Sequence, residues 1–432
     1  MANSALSKRL LRARAAVGGV FVLTLWACDP SGSRGGLREG SASPKPKPKP
    51  SAAPPPAVSA LEAEGPPAAA AAQAKPHPPK PLAENEKDDK PVEHSRYLLD
   101  GLNDVGPAAP AAAFAQGVVM VTRSDELAQV KLRQPPSKSK KPAAGALEPT
   151  TRSAQDFWPV ARGPAVSKTH AYWVSKGRLV RRALDGGELE VLATDARSGT
   201  RVAVAGSPDV VAYITEPVGK QDSLARLRLP DGRKLELTPE GAAASSVSLT
   251  TVGEDIVASY IDGRSGMTPV HARRLRTKSA SLDADVVVWV SGATQGMTEL
   301  VSVGTERGSW LMLPVERDSS HFGLATLALA PDPKMDPPLR WRTYENGLDR
   351  APTASTLLCG VPTVAYVRPA DARPTANQEL VISELTLDET AASEPLATAR
   401  GFADVSLFPL AEGAMLAYVA DRRTWARLIR CK

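Results

Sequence analysis

Short apolar runs that alternate with polar residues recur from about residue 110 to the carboxyl end of the 432-residue chain. Gly, Pro, Asp and Asn separate these runs, and helix-length periodic segments are scarce. Alternating runs at spacings of roughly 8 to 12 residues are typical of the strands in an all-β sandwich, barrel or propeller. The pattern therefore predicts an all-β domain over residues 110–432.

A two-strand unit recurs within this region. It consists of an apolar run that ends in a small residue and an aromatic one, a polar loop, and a second run rich in Leu and Arg. The first runs of its seven copies lie at 118–126, 170–177, 210–217, 256–266, 308–318, 363–373 and 415–425. A propeller blade is a four-stranded sheet of roughly 40 to 50 residues. We predict a β-propeller of seven blades, with six to eight open and two sandwich domains as the alternative.

Tyrosines occupy equivalent points in five of the copies: Tyr172, Tyr213, Tyr260, Tyr366 and Tyr418. A single blade cannot bury both of its faces, so stacked blades must cover one another. We therefore expect these rings to pack between blades rather than to bind a ligand.

The first 27 residues combine a basic start with a short apolar run. Residues 1–14 carry four basic side chains and no acid, and the 13 residues from Ala15 to Ala27 are uncharged. This pattern is typical of a secretory signal peptide. The run is shorter than the roughly 20 residues of a membrane-spanning helix. We predict a signal peptide at 1–27, and the alternative is an apolar helix packed on a globular core.

The four residues Leu25-Trp26-Ala27-Cys28 close this run and resemble the lipobox of bacterial lipoproteins. Leu25 and Ala27 fit the family pattern, whereas Trp26 departs from it. The resemblance implies cleavage before Cys28 and acylation of that residue, for example with palmitate. Two or more acyl chains anchor a protein stably to a membrane. The implied location is the bacterial cell envelope, on either the inner or the outer membrane, with the folded domain in the periplasm or at the cell surface.

Residues 28–109 are rich in Pro, Ala and Lys and contain few large apolar side chains. Such a composition cannot form a core, and its Pro-rich parts favour extended polyproline II. We expect a disordered tether between the membrane and the folded domain. A ligand for a Pro-binding domain or a cell-wall-binding segment is the alternative.

Charge argues against nucleic-acid binding. The formal net charge is +6, and four of these positive charges lie in the predicted signal peptide. The remaining +2 is spread over the rest of the chain without a basic stripe, so no nucleic-acid partner is expected.

The segment Tyr260-Ile-Asp-Gly-Arg-Ser-Gly resembles a repeat of TolB-like bacterial β-propellers, in which an Asp-x-Arg-x-Gly turn joins two strands. Asp262, Arg264 and Gly266 match that turn, and residues 421–423 are a degenerate echo of it. The resemblance implies a propeller of the bacterial envelope.

Cys359 and Cys431 are the two cysteines that remain beside Cys28. In an oxidising compartment such a pair usually forms a bridge. Both lie in strand-like segments, so a disulfide would fasten the carboxyl end to the ring. Two buried free thiols are the alternative.

Motifs for catalysis are scarce. The five histidines show no metal-ligand spacing, and neither a G-x-S-x-G elbow nor a phosphate-binding Gly loop occurs. We name no catalytic residue, metal or cofactor and lean against an enzyme. The favoured hypothesis is a lipid-anchored propeller that binds an envelope protein as an interaction or scaffold module. The alternatives are an enzyme or a ligand sensor that acts on polysaccharide or peptide at the propeller funnel.

Overall fold

Backbone hydrogen bonds join the strands of this chain into seven separate antiparallel sheets. The computed structural model describes residues 96–131, 147, 149–158, 162–218, 222–239, 241, 243–263, 268–291, 299–306, 308–318, 321–329, 340–344, 353–370, 377–385 and 393–432. Regular structure in these residues consists of strands and one 3-10 turn at Ala154–Asp156. We call the innermost strand of each sheet its first strand, and we number the sheets as blades I to VII in the chain order of these first strands.

The chain enters through β1 (Tyr97–Leu99) and β2 (Asn103–Pro107). Blade I comprises β3 (Ala111–Phe114), β4 (Gly117–Val121) and β5 (Leu127–Lys131). Blade II comprises β6 (Ala165–Val166), β7 (His170–Ser175), β8 (Arg178–Ala183) and β9 (Glu190–Ala193). Blade III comprises β10 (Ala203–Ala205), β11 (Val210–Ile214), β12 (Ala225–Arg228) and β13 (Lys234–Glu236). Blade IV comprises β14 (Ala244–Val252), β15 (Asp255–Asp262), β16 (Thr268–Arg276), β17 (Ser281–Leu282) and β18 (Val286–Ser291).

The remaining strands form three further blades. Blade V comprises β19 (Val301–Thr305), β20 (Gly308–Asp318), β21 (His321–Leu329) and β22 (Arg340–Tyr344). Blade VI comprises β23 (Ala354–Leu358), β24 (Val361–Pro369), β25 (Gln378–Glu384) and β26 (Ser393–Ala399). Blade VII comprises β27 (Phe402–Leu410), β28 (Gly413–Ala420) and β29 (Arg423–Cys431), together with β1 and β2.

The first strand of every blade lies against the first strand of the next. These contacts run in order through β3, β6, β10, β14, β19, β23 and β27, and β27 in turn contacts β3. The ring is therefore closed around a central channel. The all-β prediction and the seven-bladed propeller are confirmed.

Strands β1 and β2 complete blade VII from the other end of the chain. Both pair antiparallel with β29, with Tyr97 opposite Cys431 and Asn103 opposite Ala426. Residues 97–109 therefore belong to the ring, although the sequence analysis placed them in the tether over 28–109. The short strands carry exposed Leu98 and Leu99, and their partner lies more than 300 residues away, so local alternation does not reveal them.

The hydrophobic core is divided into seven clusters, and each cluster lies between two neighbouring blades. Strand β11 illustrates the reason, because all five of its residues are buried. Val211 and Tyr213 pack towards blade II, whereas Val210 and Ile214 pack towards blade IV. Successive side chains of a strand point to opposite faces, so a strand covered on both faces carries apolar residues at every position.

The five equivalent tyrosines lie in the second strands of blades II, III, IV, VI and VII, and all are buried. They pack between blades, as expected from the repeat. Burial raises the pKa of Tyr418 to about 12. It also raises the pKa values of Tyr172, Tyr213 and Tyr260 well above the usual range, and nearby Asp side chains add to the effect. Each of these shifts disfavours the phenolate in the folded protein.

A disulfide links the last two blades. Cys359 occupies the turn between β23 and β24, and Cys431 ends β29, with 5.8 Å between their Cα atoms. The bond fastens the carboxyl end of blade VII to blade VI, next to the point where β1 joins the ring.

The buried tyrosines predict a loss of stability in alkali. A phenol whose pKa is raised on folding contributes stability that is complete below the unfolded pKa of about 10 and is lost as pH rises through the folded pKa. We expect the free energy of unfolding in urea to fall steeply between about pH 10 and 12, and Tyr418→Phe to fall less steeply. Tyrosinate absorbance should appear together with unfolding. Its appearance in protein that is still folded would contradict the burial of these rings.

Candidate functional site

Four charged side chains meet at the end of the channel where the first strands begin. Arg162 precedes β6, Arg201 precedes β10, Glu299 precedes β19 and Asp404 lies near the start of β27. They come from blades II, III, V and VII. We call these four residues the axial cluster.

Arg201 reaches across the channel from blade III. Its guanidinium contacts Asp404 Oδ1, and Nη1 lies 3.5 Å from Glu299 Oε2. It also donates hydrogen bonds to the carbonyl oxygens of Thr353, at 3.1 Å, and Val405, at 3.3 Å. These partners lie in or directly before the first strands of blades V, VI and VII. One side chain thus links blade III to three blades on the other side of the ring.

Glu299 forms an ion pair with the second arginine of the cluster, Arg162. Its Oε1 contacts the Arg162 guanidinium, and its Oε2 accepts a hydrogen bond of 3.3 Å from the backbone N–H of Thr353. The Glu299 side chain is 5% exposed and that of Asp404 is 4% exposed, whereas the two arginines are about one quarter exposed. Burial of an unpaired carboxylate is costly, so the two arginines are required to offset both acids. The formal charge of the axial cluster is zero.

Gly163 brings blade II close to this cluster. Its backbone N–H donates a 2.7 Å hydrogen bond to Asp404 Oδ2. A Cβ atom at this position would lie 2.1 Å from the carbonyl oxygen of Ala111 and 2.6 Å from Asp404 Oδ2. Only glycine therefore allows the backbone to reach the carboxylate at this distance.

Burial and pairing act in opposite directions on the charges of the axial cluster. Burial raises the pKa of Asp404, and the neighbouring Glu299 adds to this, although Arg201 and the Gly163 N–H oppose it. Burial disfavours the charged guanidinium of Arg201, but Glu299 and Asp404 outweigh burial and raise its pKa. Arg201 therefore stays cationic, and its ion pair with Asp404 depends on a carboxylate whose charge the surroundings disfavour.

Beneath the axial cluster the channel encloses about 200 Å³, lined by the first strands of all seven blades. Blades IV to VII contribute Ser248, Ser302, Ser355 and Ser406, whereas blades I to III contribute alanines. The Ser355 hydroxyl donates to the carbonyl oxygen of Ser302 at 3.0 Å, and Ser406 Oγ accepts from the backbone N–H of Ala113 at 3.1 Å. The hydroxyls of Ser248 and Ser302 have no partner among the described residues. One side of the channel is therefore polar enough to hold water.

The residues singled out from the sequence fall in different places. Cys28 lies outside the described residues, so its lipidation stays a prediction, and Arg264 and Gly266 of the TolB-like turn also lie outside them. Asp262 is buried at the end of β15. Cys359 and Cys431 form the disulfide between blades VI and VII.

Sequence reasoning missed the axial cluster. The repeat was aligned on the second and third strands of each blade, whereas these charges lie at the first strands. A charged residue directly before an apolar run, such as Arg201 before Val202 or Asp404 before Val405, was the available signal. The residue type changes from blade to blade, so the position forms no motif.

Among the residues that the structure describes, no group of three or more His, Cys, Asp or Glu side chains is arranged to hold a metal ion. No helix among these residues has the length and apolar character needed to cross a membrane.

Comparison with known proteins adds similarity at the level of folds. No family model and no curated protein sequence matches the chain. Similar solved structures include TolB from Acinetobacter baumannii, at 10% identity over 61% of this chain and 65% of that one, with a TM-score of 0.34. An auxiliary nutrient binding protein from Bacteroides thetaiotaomicron matches at 8% identity over 61% and 67%, with a TM-score of 0.37. A Trypanosoma rangeli sialidase matches at 10% identity over 70% and 57%, with a TM-score of 0.36.

The chain thus spans slightly less than two thirds of the length of the TolB chain. At these identities the assignment of the fold rests on the strand pairing and ring closure of this chain itself.

Removal of Arg201 tests the axial cluster. Arg201→Ala leaves Asp404 without its guanidinium partner and Glu299 with only Arg162, so we expect the free energy of unfolding to fall by about 3 to 5 kcal/mol. Arg152→Ala is the matched control, because it removes an arginine from the exposed pair with Glu126 and should cost at most about 1 kcal/mol. Urea titrations of both variants measure the difference. Equal losses in the two variants would show that the cluster does not hold the ring together.

Proposed function

We propose that this protein is a lipid-anchored protein of the bacterial cell envelope whose propeller binds another protein. The anchor is the acylated Cys28, and residues 28–95 form the tether. The propeller at its end supplies the binding surface.

The observation that carries the binding role is the pairing within the axial cluster. Hydrolysis of a glycosidic bond at the mouth of the channel would typically use a pair of carboxyl groups, one of which exchanges a proton with the substrate. The two carboxylates of the axial cluster are instead occupied by guanidinium and backbone N–H donors from other blades. The axial cluster therefore holds the blades together. This favours the faces of the ring, rather than the mouth of the channel, as the surface that binds a partner.

An exposed aromatic residue marks one region of this surface. Trp158 is 45% exposed, and the guanidinium of Arg123 lies 5.1 Å from its ring centroid. Arg123 is itself held by a 2.8 Å hydrogen bond from Nε to the carbonyl oxygen of Phe157. It lies in the turn between β4 and β5, at the end of the ring where the first strands begin. Trp and Arg dominate the binding energy of many protein interfaces, so Trp158 is the residue that we place in the contact.

Substitution of the predicted lipid site tests the anchor. Cys28→Ser removes the thiol that would carry the acyl chains, so the protein should move from the membrane fraction to the soluble fraction. Ser31→Ala, in the same segment, should leave the protein with the membranes. Fractionation and immunoblotting measure both. Retention of the Cys28→Ser variant on membranes would rule out lipid anchoring through Cys28.

Recovery of a partner tests the binding role. The full-length protein, tagged after Lys432, is crosslinked in native membranes and purified. We expect one envelope protein at near-stoichiometric amount, and Trp158→Ala should weaken its binding by about 30-fold, the loss that corresponds to a hot spot of 2 kcal/mol. Val191→Ala, which shortens an exposed apolar side chain on β9, is the control and should retain the partner. Recovery no greater than from a tag-only strain would contradict the proposal.

A further inference from the structure

A cleft opens between blades III and IV on the face opposite the axial cluster. Four turns form it: those between β10 and β11, β12 and β13, β14 and β15, and β16 and β17. These turns join first to second and third to fourth strands, so they lie at the end of the ring away from the start of the first strands. The cavity encloses about 560 Å³, within the range of 300 to 1,000 Å³ that is typical of small-molecule sites.

The floor of this cleft is aliphatic. Val210, Leu229, Ile256 and Leu275 line it, and each is at most 4% exposed. All four belong to the single hydrophobic cluster that joins blades III and IV. Gly206 keeps the floor accessible, because its φ is +90° and a Cβ atom there would lie 3.0 Å from Ile256 Cδ1. An apolar group that enters the cleft therefore meets the inter-blade core directly.

The rim of the cleft is charged, but its charges are paired within each blade. On blade III, Arg233 Nε lies 2.7 Å from Asp231 Oδ2, and the Arg233 backbone N–H donates to Oδ1 at 2.9 Å. On blade IV, Lys278 Nζ lies 2.6 Å from Glu254 Oε2. The hydrogen bond from the Arg233 backbone lowers the pKa of Asp231, and the bond to Glu254 raises that of Lys278. The four side chains sum to zero, so the rim offers no net attraction to an ion.

The neighbouring cleft, between blades II and III, is smaller and more polar. It encloses about 140 Å³, and polar side chains line its walls. The Tyr172 hydroxyl donates to Asp209 at 2.6 Å, and Arg181 Nε donates to Glu190 at 2.8 Å. The two clefts share Leu229, Pro230 and Asp231. In the smaller cleft the aliphatic residues are accompanied by four further charged side chains, those of Arg181, Glu190, Asp209 and Arg228.

We propose that the cleft between blades III and IV is a binding site for a small, uncharged and largely apolar molecule. Burial of the ligand's own apolar surface in the cleft supplies the binding energy. The charges on the rim pair with one another, so the rim favours neutral ligands over ions. A charged ligand would gain no net attraction there and would lose its own hydration. This site is independent of the protein-binding role proposed above.

Photolabelling with a defined neutral probe tests the site. Full-length protein is irradiated with a diazirine derivative of 1-hexanol, and labelled peptides are located by mass spectrometry. We expect label on the segments 206–210, 229–233, 251–256 and 275–280. Thr251 is exposed at the cleft and near the end of β14, so Thr251→Trp should fill the cavity and lower this labelling at least about tenfold, the factor equivalent to 1.4 kcal/mol. The corresponding diazirine carboxylate should label the cleft more weakly than the alcohol.

Ser245→Trp is the matched control, because Ser245 is the other exposed position of β14 and does not line the cleft. It should label like the natural protein. If Thr251→Trp does not fold, as judged by urea titration, Ser207→Trp fills the cleft from the opposite wall. Label spread evenly over the surface, or unchanged in the filled variant, would overturn the proposal. So would a protein partner that crosslinks to these segments while the alcohol does not label them.

Discussion

Burial of both faces of every sheet is the constraint on which this structure depends. A four-stranded blade has two apolar faces, and only a neighbouring blade on each side can cover them. The core is accordingly divided into seven clusters, each shared by two blades, including the cluster between blades VII and I. The cluster between blades VII and I is complete only when the ring has closed. Pairing of β1 and β2 with β29 therefore contributes to the stability of the whole ring and not only to one blade.

The axial cluster also holds the blades together, at the centre of the ring. Strands β6 and β10 have only two and three residues, so blades II and III offer little backbone surface at the centre of the ring. Arg162 and Arg201 start from these two blades and reach carboxylates on blades V and VII. Side chains thus make the connections across the axis that short strands cannot make.

The two faces of the ring differ in chemistry for the same topological reason. Antiparallel strands place the axial cluster and the Arg123–Trp158 pair at one end, and the turns that surround the apolar cleft at the other. The entry of the chain at β1 and the Cys359–Cys431 bond also lie at the end with the cleft, because Tyr97 pairs with Cys431. Strand β1 therefore begins on the same face of the ring as the cleft, and the exposed Trp158 is presented on the opposite face.

The sequence by itself determined the all-β class, the seven repeats and the buried positions of Tyr172, Tyr213, Tyr260, Tyr366 and Tyr418. A strand covered on both faces carries a continuous apolar run, and such a run is visible in one dimension. Only the tertiary structure decided which residues lie at the axis and where the ring begins. Arg201 and Asp404 are 203 residues apart, and Tyr97 meets Cys431 only when the ring closes. These contacts depend on closure, which leaves no periodic signal along the chain.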